Sequence, residues 1–121
     1  MTRVLVDTSI WVFHLRKGDP HLQELLVDEQ VLCHPFIIGE VACGGLKNRK
    51  EIISLLKALP SATMAETDEI LEFIEDQKLI GVGIGLVDVH LLASALLTKA
   101  LLWTSDRNLR AAAARLNIFY K

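Results

Sequence analysis

Disulfides, a zinc cage and a membrane span are all beyond the means of this sequence. It has two cysteines in 121 residues, Cys33 and Cys43, which excludes a disulfide framework and points to a reducing compartment. The four histidines, His14, His21, His34 and His90, and the two cysteines form neither a CxxC nor an HxxxH spacing, so zinc is not supported. Both thiols read as small buried side chains. The best apolar run, Leu86 to Leu102, is broken by Asp88, His90 and Lys99, which excludes a transmembrane helix. No signal peptide precedes the first apolar segment, and the expected location is the cytoplasm. An excess of positive charge is also missing: 13 Lys and Arg stand against 15 Asp and Glu, for a net charge of -2. That balance excludes a protein that holds duplex nucleic acid by charge alone.

What is plentiful is apolar residue, 51% of the chain, enough for a core in a single domain spanning residues 1–121. Apolar, partly β-branched runs predict strands at Arg3 to Val6, Val31 to Cys33 and Leu101 to Thr104, a weaker one around Ala62 to Ala65, and a further one at Ile118 to Tyr120. Between them the apolar period becomes helical: Thr8 to Arg16, His21 to Asp28, a helix opened by Pro35 and closed by Gly44 and Gly45, Arg49 to Leu59, Thr67 to Leu79, Leu86 to Lys99 and Arg107 to Leu116. The glycines Gly81, Gly83 and Gly85 lack GxGxxG spacing and a P-loop lysine, and read as a tight turn into a helix. Strands alternating with helices imply an α/β fold, a mostly parallel sheet of four to five strands with helices on both faces.

Four acids stand apart from the solvated helix faces. Asp7 directly follows the first strand and Asp106 follows Leu101-Leu102-Trp103-Thr104-Ser105, so both lie at carboxyl ends of parallel strands, where open α/β sheets bind ligands. Asp88 opens the helix after the glycines. Helix capping accounts for each aspartate taken singly. Glu40 lies in Phe36-Ile37-Ile38-Gly39-Glu40-Val41-Ala42-Cys43, an otherwise uncharged helix, with no lysine or arginine within a turn, and is expected to be buried there. A buried carboxylate needs a partner or a cation. Four oxygen donors without nitrogen or sulfur select Mg²⁺ or Mn²⁺, and such an ion suits phosphodiester cleavage.

At these residues the chain resembles the PIN-domain ribonucleases, most closely the VapC-type toxins of toxin–antitoxin pairs. Val4-Leu5-Val6-Asp7-Thr8-Ser9-Ile10-Trp11 is similar to the family's opening strand and first acid, and His34-Pro35-Phe36-Ile37-Ile38-Gly39-Glu40-Val41 to its second motif. Gly83 to Ala95 is similar to the third and Leu102 to Leu109 to the fourth. The resemblance covers nearly the whole chain. It implies a PIN-like fold and an Mg²⁺- or Mn²⁺-dependent endoribonuclease in which Asp7, Glu40, Asp88 and Asp106 are catalytic and surround the metal, Asp106 standing either against the ion or behind its ligands. It makes Thr8, Ser9 and Thr104 supporting hydroxyls, although capping and strand-end bonds explain them equally. It further implies an RNA substrate, a VapB-type antitoxin lying over the acidic groove, and a homodimer.

Arg16, Lys17, Lys47, Arg49, Lys50, Arg107 and Arg110 fall in or beside the acid-bearing segments, as a basic rim for RNA or an ordinary surface. Trp11 and Trp103 are expected in the core rather than stacking on bases. A receiver-like phosphoacceptor domain also gathers acids at strand ends, but needs an adjacent acidic pair after the first strand and a lysine after the last. Thr8 follows Asp7, and no lysine follows Thr104. A phosphatase of the haloacid-dehalogenase kind needs a second acid where Ser9 stands. A catalytically silent PIN-fold interaction module stays open at this point.

Overall fold

The computed structural model describes residues 2–121. Three parallel strands, β1 (Val4–Val6), β2 (Val31–Leu32) and β3 (Leu101–Trp103), run in the order β2-β1-β3. The central strand is apolar at every position because both of its faces are covered: Val4, Leu5 and Val6 are buried alike. Its register sets Val4 against Val31 and Leu101, and Val6 against Trp103. Asp7, Cys33 and Thr104 therefore leave the three strands at the same end of the sheet.

The sheet is narrower than its apolar runs predict. Ala62 to Ala65 forms no strand, and its neighbour Ser61 makes a single parallel bridge to Cys33; Ile118 to Tyr120 contributes one bridge, Phe119 to Leu102. Each outer segment pairs at one residue and then turns away.

Among the described residues seven helices flank the sheet: α1 (Thr8–Lys17), α2 (Pro20–Val27), α3 (Pro35–Ala42), α4 (Arg49–Ala58), α5 (Thr67–Asp76), α6 (Leu86–Thr98) and α7 (Arg107–Arg115). Their starts are written in the sequence. Asp7, Asp19 and Asp106 accept backbone N–H groups as N-caps of α1, α2 and α7, and Glu66 and Glu69 close a reciprocal capping box on α5. α6 differs from the amphipathic α4 and α5, since all seven residues from Val89 to Ala95 are buried. It is the helix around which the core is organised. Among the described residues no helix is long and apolar enough to cross a membrane.

Candidate active site

Asp7 is the best-fixed of the four acids. It is buried at the carboxyl end of the central strand, and its backbone N–H donates to the carbonyl of Trp103 on the neighbouring strand. Asp7 Oδ1 accepts from the Thr8 N–H at 2.7 Å. Asp7 Oδ2 accepts from the Thr104 hydroxyl at 2.6 Å and the Ser9 hydroxyl at 3.0 Å. A carboxylate has about four acceptor sites; three are taken, which leaves one on Oδ1.

The same hydroxyls reach the next segments. Thr104 Oγ1 accepts from the Asp106 N–H at 3.0 Å and Ser9 Oγ from the Ser105 N–H at 3.1 Å, so the loop after β3 is tied to the start of α1. Thr8 Oγ1 donates to Glu40 Oε1 at 2.6 Å, which ties α1 to α3. Thr8, Ser9 and Thr104 thus cap, brace and bridge the acids at once.

Glu40 is not buried as its apolar surroundings suggest. α3 turns Ile37 and Val41, four residues apart, into the core, and this leaves Gly39 and Glu40 exposed on the opposite side. Its isolation from lysine and arginine therefore reflects a place at the mouth of a cleft rather than a sealed charge. Asp106 is also exposed; Oδ1 caps α7 by accepting from the Leu109 N–H at 2.9 Å, and Oδ2 accepts from no donor among the described residues. Both roles read from the sequence, cap and cleft acid, are compatible in Asp7 and Asp106 because each uses a different lone pair.

Asp88 lies in the first turn of α6, half-buried. Its pKa is pushed up to about 6, first by burial, then by the charge of Asp7, with smaller contributions from Asp106 and Glu40 against an opposing backbone hydrogen bond from Gly85. The four acids therefore share one electrostatic field. Among the described residues no lysine or arginine forms an ion pair with any of them, and no three are drawn together into a closed cation cage. Their chemistry still fits a hard divalent cation: the donors are all oxygens, they come from both sides of the strand ends, and a positive charge would relieve the repulsion felt at Asp88.

Two supporting contacts are not legible from motif spacing. His34, fully buried, caps α3 with its ring: Nδ1 accepts from the Phe36 N–H at 3.0 Å. Nε2 therefore carries the proton and donates to Ser94 Oγ, 3.1 Å away in the middle of α6. This bond joins the helix carrying Glu40 to the helix carrying Asp88. Second, Asn108 Nδ2 donates to the Gly83 carbonyl at 3.1 Å and fastens the glycine turn before α6 to α7. The turn itself is as expected, with positive φ at Gly81 and Gly83.

The basic residues divide. Arg16 and Lys47 line a cleft beside Glu40, whereas Arg49 Nε donates to the Ala42 carbonyl at 3.2 Å and Arg110 lies over the Phe119 ring. Trp11 is in the core, but Trp103 is only half-buried and packs with His21 and Tyr120 at the sheet edge. Cys33 is buried as expected, but Cys43 is exposed, because α3 ends at Ala42 and carries its cap outward.

A family model described as the PIN domain matches residues 4–115. The chain belongs to the PIN-domain family. The Ribonuclease VapC32 sequences of two Mycobacterium tuberculosis strains, CDC 1551 / Oshkosh and ATCC 25618 / H37Rv, are each 45% identical to this PIN domain over 112 residues, which is 92% of this chain and 90% of theirs. The VapC-type resemblance of the four motifs agrees with these relatives. A crystal structure of PAE2754 from Pyrobaculum aerophilum shares the fold with a TM-score of 0.60 at 16% identity, covering 96% of this chain and 90% of that one.

Proposed function

We propose that this PIN domain is a divalent-metal-dependent endoribonuclease that cuts single-stranded RNA and acts as the toxin of a type II toxin–antitoxin pair. One observation carries the reading: four acids from the end of β1, α3, α6 and the loop after β3 share a field, with no lysine or arginine among the described residues paired to any of them, on a chain whose relatives are named ribonucleases. Asp7, Glu40, Asp88 and Asp106 would hold Mg²⁺ or Mn²⁺. When bound, the ion supplies charge neutralisation at the scissile phosphate and a water acidic enough to attack it near neutral pH.

The chain's own residues do the positioning. Thr104 and Ser9 fix the Asp7 carboxylate from one side and leave the free lone pair of Oδ1 for the cleft. Thr8 holds Glu40 Oε1 and leaves Oε2 open. Asp88, with a pKa near 6, is mostly ionised at neutral pH and protonated below 6, so the cluster would hold a cation less well on acidification. The exposed Glu40 and Asp106 leave the cleft open to a chain rather than to a small closed-off ligand.

Length and composition support one domain acting in the cytoplasm, and the resemblance to VapC-type toxins supports pairing with a second copy and silencing by a VapB-type antitoxin over the same acids. Growth tests the reading. Expression of the chain alone is expected to arrest a bacterial host, and Asp88→Ala to restore growth at an equal protein level. Equal growth of both strains would remove the toxin assignment.

A further inference from the structure

A cleft of about 540 Å³ opens directly from Glu40, between α1, the end of α3 and the start of α4. Its size falls in the range of small-ligand sites, about 300–1,000 Å³. The floor is apolar, with Val12 and Leu15 on one side and Ile52 on the other, and the wall carries Arg16, Lys47 and Asn48. Apart from Glu40 its charged groups are cations, in a chain whose net charge is -2.

Asn48 is the informative residue. It stands at the N-cap of α4, where an asparagine normally spends its side chain on the first turn, yet it makes no capping hydrogen bond. Its backbone is left-handed, with φ 56, a conformation that asparagine tolerates better than most residues. The amide, one acceptor and two donors, is thus free of capping duty at the wall of a cleft that leads to the candidate metal site. Across the cleft, Arg16 lies in the last turn of α1 and is exposed, and Lys47 precedes Asn48.

We infer that this cleft is a nucleotide subsite: it takes the RNA nucleotide next to the scissile phosphodiester, with the base on the Val12–Ile52 floor, its edge read by the Asn48 amide, and the flanking phosphate held by Arg16 and Lys47. The inference rests on the ribonuclease reading, since it places the subsite beside Glu40. An apolar floor accepts a flat base, the amide distinguishes base edges by donor and acceptor pattern, and cations serve only the backbone. Base preference at one position is therefore a property of Asn48, and overall RNA affinity a property of Arg16 and Lys47.

Two measurements separate this subsite from the ribonuclease reading. The first needs no cleavage: the four nucleoside 5′-monophosphates are titrated into the full chain in EDTA and followed by amide NMR. At least one is expected to shift the resonances of residues 44–52 and Arg16, with binding weakened tenfold or more by Lys47→Glu; no shift there with any of the four overturns the subsite. The second compares kcat/KM on single-stranded RNAs randomised on either side of the cut. Asn48→Gly keeps the positive φ and removes the amide. It is expected to narrow the ratio between best and worst base at one flanking position at least tenfold, with cleavage retained. An unchanged ratio at every position overturns the assignment of Asn48, whereas a wild-type chain that cuts no RNA overturns the ribonuclease reading and leaves the nucleotide titration to judge the cleft.

Discussion

Thr104 shows how much of this site depends on uncharged side chains. It is buried, donates to Asp7 Oδ2 and accepts from the Asp106 N–H, so a single hydroxyl orients one acid and the start of the segment that carries another. Thr104→Val keeps the shape and removes both bonds. Leaving the buried Asp7 oxygen and the Asp106 N–H short of a partner costs about 1–3 kcal/mol, and losing an outer support of a metal ligand typically costs roughly 10–100-fold in metal affinity or activity. The half-saturating Mn²⁺ concentration for cleavage is expected to rise within that range, and Thr104→Ser to restore it. An unchanged Mn²⁺ requirement in the valine variant would mean that Asp7 is oriented by Thr8 and Ser9 alone. Asp7, Asp88 and Asp106 stand out in the sequence because each follows a strand or opens a helix, and Glu40 because its helix carries no other charge. The exposure of Glu40 was not legible, because the uncharged run around it conceals which two residues, Ile37 and Val41, face inward.

The glycine turn before α6 is an element whose geometry decides where Asp88 points. Gly81 and Gly83 both have positive φ, but a Cβ on Gly81 would meet nothing within 4 Å, whereas one on Gly83 would come within 2.7 Å of Asn108 Nδ2. Gly81→Ala is thus expected to cost only backbone strain, about 1–3 kcal/mol. Gly83→Ala carries the same strain and also pushes away the Asn108 clamp, so its melting temperature and its cleavage rate should both fall below those of Gly81→Ala. Equal losses in the two variants would show that the clamp does not position α6. The starts of the helices were readable from the sequence because caps, prolines and apolar periods coincide there. The strand count was not, because the runs ending in Ala65 and Tyr120 are apolar enough for strands but meet the sheet at one residue each. The Asn108 and His34 contacts bring together residues 25 and 60 positions apart, a separation at which local patterns carry no signal.

At the scale of the molecule, charge and pH combine. Setting aside the four proposed metal ligands leaves 11 of the 15 acids against 13 bases, so on the proposed reading the slight net acidity belongs to the site and not to the rest of the surface. Two groups with opposing slopes contribute to the stability of the protein in EDTA, and His90, lowered by burial, acts in the same direction as His34. Asp88, raised from 3.8 to about 6, contributes stability that is present at low pH and lost as pH rises through 6. His34, lowered from 6.5 to about 4 by burial and by the charge of His90, contributes stability that is present above 6.5 and lost as pH falls toward 4. Their slopes oppose each other between about pH 4 and 6.5. Asp88→Asn removes one of them. That variant is expected to melt higher than wild type at pH 7 in EDTA and to lose stability steadily on acidification from pH 6.5, whereas parallel pH profiles for the two proteins would show that Asp88 is not strained by its neighbours. The central claim, that these four acids hold a divalent ion which cuts RNA, is tested most directly by following an end-labelled single-stranded RNA with wild type and Asp7→Asn, each in EDTA and after Mn²⁺ is restored. Wild type should be inert in EDTA and cut once Mn²⁺ returns, with Asp7→Asn folded but inert in both; cleavage by wild type in EDTA, or by Asp7→Asn at the wild-type rate, would contradict it.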